Sequence, residues 1–144
     1  MIKVIEQNQT IFAKIIRAGY QSSENEFFTK EKDEIQFGVA SYPKNYKTGT
    51  HFHNHIEKET TQVDEILIVR EGCARVDFYN NEGIYIKSSE IFKDDTLIIF
   101  KGGHNISFNE NTKLIVIKPS TYTQAYDKTR IIGVNDSDLI IEND

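Results

Sequence analysis

Cysteine is almost missing from this 144-residue chain. Cys73 stands alone, so no intrachain disulfide can form, and a reducing compartment is consistent. Long apolar runs are missing too. The longest, residues 66–69 (ILIV) and 97–100 (LIIF), fall far short of the ~20 residues that span a bilayer as a helix, so no membrane association is expected. The first ten residues, MIKVIEQNQT, lack the apolar stretch and small-residue cleavage site of a secretory signal, and a cytoplasmic location is the expectation. Nor is there an excess of positive charge. The 17 Lys and Arg against 22 Asp and Glu leave a net charge of −5, which gives no electrostatic reason to expect nucleic acid and suits ordinary solubility. Helical signal is scarce: residues 57–62 (EKETTQ) could form one turn, but the stretch is short and rich in threonine.

What the chain has is alternation. Short β-branched and aromatic runs with period two mark strands at residues 11–18, 35–42, 50–54, 65–70, 73–79, 84–87, 96–100, 105–108 and 113–118. Turn-forming residues separate many of them: Glu71-Gly72, residues 80–83 (NNEG), Lys93-Asp94-Asp95, Gly102-Gly103 and residues 109–111 (NEN). Strands at such spacing predict an all-β sandwich or barrel. The length fits a single domain over residues 1–144, with its core at about 34–119, an N-terminal strand region 1–33 and a tail 120–144. Residues 22–34 read as a polar surface loop carrying Phe27 and Phe28, which would lay one or two rings on the barrel. The tail is expected to cross the outside of the barrel or a second subunit, with its last nine residues, DSDLIIEND, disordered or paired with another chain. Gly103 is expected to supply a positive φ or a close backbone approach, and Cys73 a small packed thiol.

Histidine is sparse but concentrated. Three of the four sit within His51-Phe52-His53-Asn54-His55, and the fourth, His104, follows Gly102-Gly103. Imidazole is the commonest protein metal ligand, and with an unperturbed pKa of about 6.5 it also suits proton transfer. In an extended strand, residues i, i+2 and i+4 share a face, so His51 and His53, with His55 at the same parity, can converge on one point. The plainer alternative is a pair of strand histidines hydrogen-bonded in a core. His55 falls where the strand should end, which favours the rim.

These residues resemble the cupins. The stretch from Gly49 through His51 and His53 to EILIVREG (Glu65 to Gly72) is similar to the first cupin motif, and DDTLIIFKGGH (Asp94 to His104) to the second. The resemblance implies a double-stranded β-helix, the cupin jelly-roll barrel, with one divalent metal in its mouth. Carried over by position, the metal ligands would be His51, His53, Glu65 and His104. More narrowly, the chain resembles small bacterial cupins associated with cell-surface polysaccharide pathways, a likeness that extends loosely to residues 122–128 (YTQAYDK). Eleven residues separate His53 from Glu65, whereas only three separate His53 from Glu57; six residues separate Glu65 from Gly72. Spacing from the histidines favours Glu57 and spacing to the glycine favours Glu65. Glu65 also opens an apolar strand whose period sets its direction, and it is the preferred ligand.

Three imidazoles and a carboxylate suit Fe, Mn, Ni, Co or Zn without deciding among them. Gln36, Tyr42 and Arg75, with Lys58, are candidates to line the pocket and orient the ligands. The expected activity is that of a metal-binding enzyme acting on a small polar metabolite such as a sugar or nucleotide-sugar derivative, an isomerase or oxygenase. The alternatives are a non-catalytic small-ligand-binding module and a metal-free sugar isomerase or epimerase with histidine as base. A homodimer is expected because open sheets leave edges to be covered, with residues 11–18 pairing across the two-fold axis.

Overall fold

A computed structural model describes residues 1–47, 50, 63–119 and 129–142. The chain divides into two compact units, residues 1–20 with 63–144 and residues 21–62.

The larger unit is built from antiparallel strands. Its five-stranded sheet contains β1 (Ile2–Gln7), β2 (Thr10–Ile16), β5 (Glu65–Glu71), β8 (Thr96–Ile99) and β10 (Lys113–Ile117) in the order β1-β2-β8-β5-β10. A three-stranded sheet runs β7-β6-β9, from β6 (Cys73–Tyr79), β7 (Tyr85–Phe92) and β9 (Gly103–Ser107). Both sheets turn one face to a shared apolar cluster. The first contributes Ile5, Ala13, Ile15, Leu67, Val69, Leu97 and Ile99, and the second Ala74, Val76, Phe78 and Ile91. Period two explains the division, since residues 74, 76 and 78 share one face of β6 and 73, 75, 77 and 79 the other. The runs ILIV and LIIF do not alternate because both of their faces are buried: Ile66 and Ile98 are as inaccessible as Leu67 and Leu97.

The strand at residues 11–18 is corrected in role as well as in extent. As β2 it pairs with β1 on one side and β8 on the other, so both its hydrogen-bonding edges are used and it cannot pair across a two-fold axis. Its partner β1 was not anticipated. The β1–β2 turn places Asn8 and Gln9 at φ 49° and 62°, the left-handed pair of a tight hairpin.

At the far end of β2, Arg17 reaches the buried Asp95 at 2.7 Å, while the same carboxylate accepts the backbone N–H groups of Ala18 and Phe92. These bonds lock the β7–β8 turn to the end of β2. A separate buried carboxylate, Asp77, lies on the outer face of the three-stranded sheet. It accepts hydrogen bonds from Ser88 at 2.6 Å and Asn105 at 3.1 Å, and Arg75 Nε lies 3.0 Å away. Residues 129–142 cross this face. Tyr79 OH accepts the Val134 N–H, Tyr85 OH accepts the Ile140 N–H, and Ser88 donates its backbone N–H to the Ile140 carbonyl. The described part of the tail therefore packs across the outside of its own sheet, and the DSD stretch, expected to be disordered or paired with another chain, forms a short 3-10 turn, Asp136–Asp138.

The smaller unit holds a two-stranded ribbon, β3 (Glu26–Phe27) with β4 (Gly38–Val39). The strand expected at 35–42 shrinks to two residues. Phe28 is buried and Phe27 exposed, so one of the two loop rings is inserted. Thr29 and Asp33 side chains accept the backbone N–H groups of Phe37 and Lys30 and close the loop.

Candidate metal centre

Glu65 is the first residue of β5 and pairs with Ile99, a core residue, so its side chain shares the inner face with Leu67 and Val69. His104 is the second residue of β9 and pairs with Phe78, whose ring lies in the core; it therefore occupies the inner face of the opposite sheet. The two side chains meet from opposite sheets, with Nε2 of His104 3.2 Å from Oε2 of Glu65. Lys118 joins them. The β5–β10 register pairs Val116 with Leu67 and Ile117 with Ile66, and its next step brings Lys118 opposite Glu65. Its Nζ lies 3.7 Å from Oε1, the other oxygen of the same carboxylate. The Glu65 side chain is 12% exposed and those of His104 and Lys118 about twice that, which describes the rim of a core, neither sealed nor open.

Two donors 3.2 Å apart fit one shared cation. With bonds of about 2.1 Å to each, they would subtend about 100° at the ion, between octahedral and tetrahedral values. The same distance also fits a simple hydrogen-bonded ion pair. A second feature of the ring is relevant here: Nδ1 of His104 is buried and has no hydrogen-bond partner among the described residues. A ligand histidine is ordinarily oriented through its other nitrogen, so this atom needs a partner that the described residues do not supply.

The Gly102-Gly103 turn delivers His104. Gly102 adopts φ 87°, and a Cβ there would lie 2.4 Å from the Tyr79 carbonyl oxygen and 2.8 Å from the Phe12 ring. The positive φ thus falls one residue before the expected Gly103. Gly103 supplies the close approach instead, since a Cβ would come within 2.7 Å of Ile131.

The remaining candidates separate into three groups. His51, His53, His55 and Glu57, with Lys58, lie outside the described residues. Gln36 and Tyr42 belong to the smaller unit: Gln36 donates to the Lys30 carbonyl, and Tyr42 accepts from Asn25 and stacks on Tyr46 at 5.0 Å. Arg75 stands on the face of β6 opposite to the one that carries Phe78, so it does not join Glu65 and His104. Burial works against its charge, but the Asp77 carboxylate and hydrogen bonds to Asp77 and Asp136 outweigh that and push its pKa up. Arg75 serves the outer face and the tail that crosses it. Lys118, which sequence reasoning treated only as the end of a strand, brings a cation to the Glu65 carboxylate. The signal that could have found it was strand register, and register becomes readable only once β5 and β10 are known to be neighbours.

Cys73 opens β6 and is partly buried. Its thiol pKa is raised, first by a hydrogen bond to Glu110, then by burial and by the negative charges of Glu110 and Glu90. A raised pKa reduces the thiolate present at neutral pH, so the residue is a poor nucleophile. Alkylation by iodoacetamide at pH 8 is expected to run slower than for a free cysteine thiol, and Glu110→Ala to speed it by about two- to tenfold. An unchanged rate in the variant would show that Glu110 does not control the thiol.

Among the described residues, no group of three or more His, Cys, Asp or Glu side chains is placed to hold a metal, and no helix is long and apolar enough to cross a membrane. No family model, curated protein or solved structure matches the chain.

Proposed function

We propose that this chain is a metal-binding protein of cupin type, in which Glu65 and His104 hold one divalent transition metal together with His51 and His53, and that it acts on a small polar metabolite such as a sugar or nucleotide-sugar derivative. The observation that carries the reading is the 3.2 Å approach of Glu65 and His104, donors 39 residues apart in sequence (104 minus 65) and borne on opposite sheets. It is the arrangement the sequence resemblance calls for, and it favours Glu65 over Glu57 as the carboxylate ligand. An all-β, antiparallel architecture with these two side chains at the rim of a core supports a jelly-roll barrel with its site in the mouth.

An ion held there with open positions would polarise a carbonyl or hydroxyl as a Lewis acid. The chain's own residues do the rest. Glu65 supplies the negative charge that offsets a dication, His104 a neutral nitrogen donor, and the apolar cluster behind them limits water and raises the local electrostatic field. A homodimer belongs to the same reading, on the general ground that exposed sheet edges are usually covered.

The His104–Glu65 contact also suits a metal-free enzyme in which the carboxylate orients a histidine base. Elemental analysis of untreated protein separates the two. The metal reading expects close to one equivalent of Fe, Mn, Ni, Co or Zn per chain, or its recovery on titration, and loss of that metal in His53→Ala. Protein that neither carries nor takes up a divalent metal would leave the acid–base reading and remove this one.

A further inference from the structure

None of the tail residues 129–142 is buried, whereas Tyr79 and Ser88, which they touch on the three-stranded sheet, both are. A segment held that way opens at a fraction of the cost of unfolding the sheet. What it covers is already shaped to receive a strand. β7 is an edge strand, and Ile141 lies beside its Ser88 in a parallel bridge, the single bridge the tail makes among the described residues. Ser88 donates its backbone N–H to the Ile140 carbonyl at 2.8 Å. Side chains do the remaining recognition. Ser88 Oγ gives its proton to the buried Asp77 carboxylate at 2.6 Å, so in its 2.8 Å contact with Tyr85 the phenol is the donor. The phenol oxygen is then left to accept the Ile140 N–H at 2.9 Å, and its 3.3 Å approach to the Ile140 carbonyl is the longer alternative. The bonds thus run one way, from a backbone N–H through Tyr85 and Ser88 to a carboxylate, and each polarises the next. Tyr79 OH accepts a second backbone N–H, that of Val134, at 3.0 Å. Cations flank these acceptors: Arg75 lies 3.2 Å from Asp136 and Lys87 2.8 Å from Glu142.

We infer that the tail is a resident ligand in a strand-accepting site, and that the site's outside occupant is an extended acidic segment of a partner protein, which displaces the tail and docks along Tyr85–Ser88 of β7. The seat defines that segment: backbone N–H groups for the two phenol oxygens, an extended residue opposite Ser88, and carboxylates for Arg75 and Lys87. The rest of the edge is already used, since the Glu90 carbonyl accepts from Arg17 and the Phe92 N–H donates to Asp95. A second copy is not the occupant. Its own tail already fills an identical seat, so exchange would trade equal contacts and lose translational freedom. A partner segment with larger apolar side chains gains burial that the exposed tail lacks. The inference stands apart from the metal-binding reading and uses none of its residues.

The test uses full-length protein and a fluorescein-labelled synthetic peptide with the sequence of residues 129–142, read by fluorescence anisotropy, with circular dichroism as the check on folding. Wild type should bind the peptide weakly, because its own tail competes at the high effective concentration of a tethered segment. Ile140→Pro removes the N–H that Tyr85 accepts and lies outside the strands of both sheets. It should loosen the tail and raise peptide affinity at least about tenfold. Asp136→Ala, which breaks the contact with Arg75, should raise affinity by a smaller factor, and it carries the test should Ile140→Pro not fold. Changes in the peptide probe the seat without touching the protein. N-methylation at the residue matching Ile140 should weaken binding to the loosened variants about three- to tenfold, and so should exchange of the acidic residues for their amides. Affinity equal in wild type and both variants, absence of binding to any of them, or undiminished binding of the N-methylated peptide overturns the site. A larger oligomeric mass for Ile140→Pro than for wild type, measured by light scattering, would give the seat to a second copy and overturn the outside partner.

Discussion

Replacing His104 by alanine is expected to lower divalent-metal affinity about 100-fold or more while leaving the fold intact. Removing even an outer-shell partner of a metal ligand typically costs 10–100-fold, and a ligand contributes more than its support. The fold should survive because the side chain is a quarter exposed, and because the substitution deletes the buried Nδ1 that has no partner among the described residues. Its strand is held by backbone pairing to β6, which alanine does not disturb. Competition with a chromophoric chelator measures the affinity, and a thermal melt in the presence of excess chelator measures the fold. Arg75→Ala is the matched control: it removes a charge from the outer face and should leave metal affinity within about twofold of wild type. Equal affinities for wild type and the His104 variant would put the metal elsewhere.

The second large effect concerns the core beneath that histidine. Phe78→Ala should destabilise the protein by about 3–5 kcal/mol, read as a fall in the urea midpoint with little change in slope. Phe78 is 1% exposed and lies in the cluster shared by the two sheets, on the central strand of the three-stranded one. Truncation there forfeits ring burial and leaves a cavity that the flanking strands cannot easily close. A metal titration should change as well. His104 is the residue paired with Phe78, so a loosened β6–β9 ladder gives the imidazole more positions to sample and weakens binding beyond any loss of folded protein. A destabilisation under about 1 kcal/mol would mean that the ring does not face the shared core.

Much of the strand pattern was legible in the residues. The strand expected at 73–79 matches β6 at both ends, and those at 65–70, 96–100 and 113–118 match to within one residue. These segments alternate cleanly or are uniformly apolar, and turn-forming residues bound most of their ends. β1 escaped because its apolar residues, Ile2, Val4 and Ile5, break period two, and the register against β2 shifts just there, between Ile5 and Glu6. The expected strand 35–42 failed for the opposite reason. It looked β-like by composition, but Phe37 is tied to the Thr29 hydroxyl and Phe28 to the Phe37 carbonyl, so the segment is used to close a loop. Local pattern cannot distinguish those uses of the same residues.

The amino-acid sequence alone determined that the chain is all-β, that it can form no intrachain disulfide, and that histidine is gathered where a strand would point alternate rings to one side. The family resemblance, beyond the residues themselves, is what put Glu65 and His104 in one expected set. Only tertiary structure decided that these two approach to 3.2 Å, that Lys118 lies beside them while Arg75 stands on the outer face, and that residues 129–142 cross the outer face of the three-stranded sheet. The reason is the nature of the two kinds of information. Side-chain period is local and follows from backbone geometry within a strand. Which strand lies beside which, and in what register, depends on contacts between residues far apart in sequence, and a one-residue change in register would turn Lys118 away from Glu65.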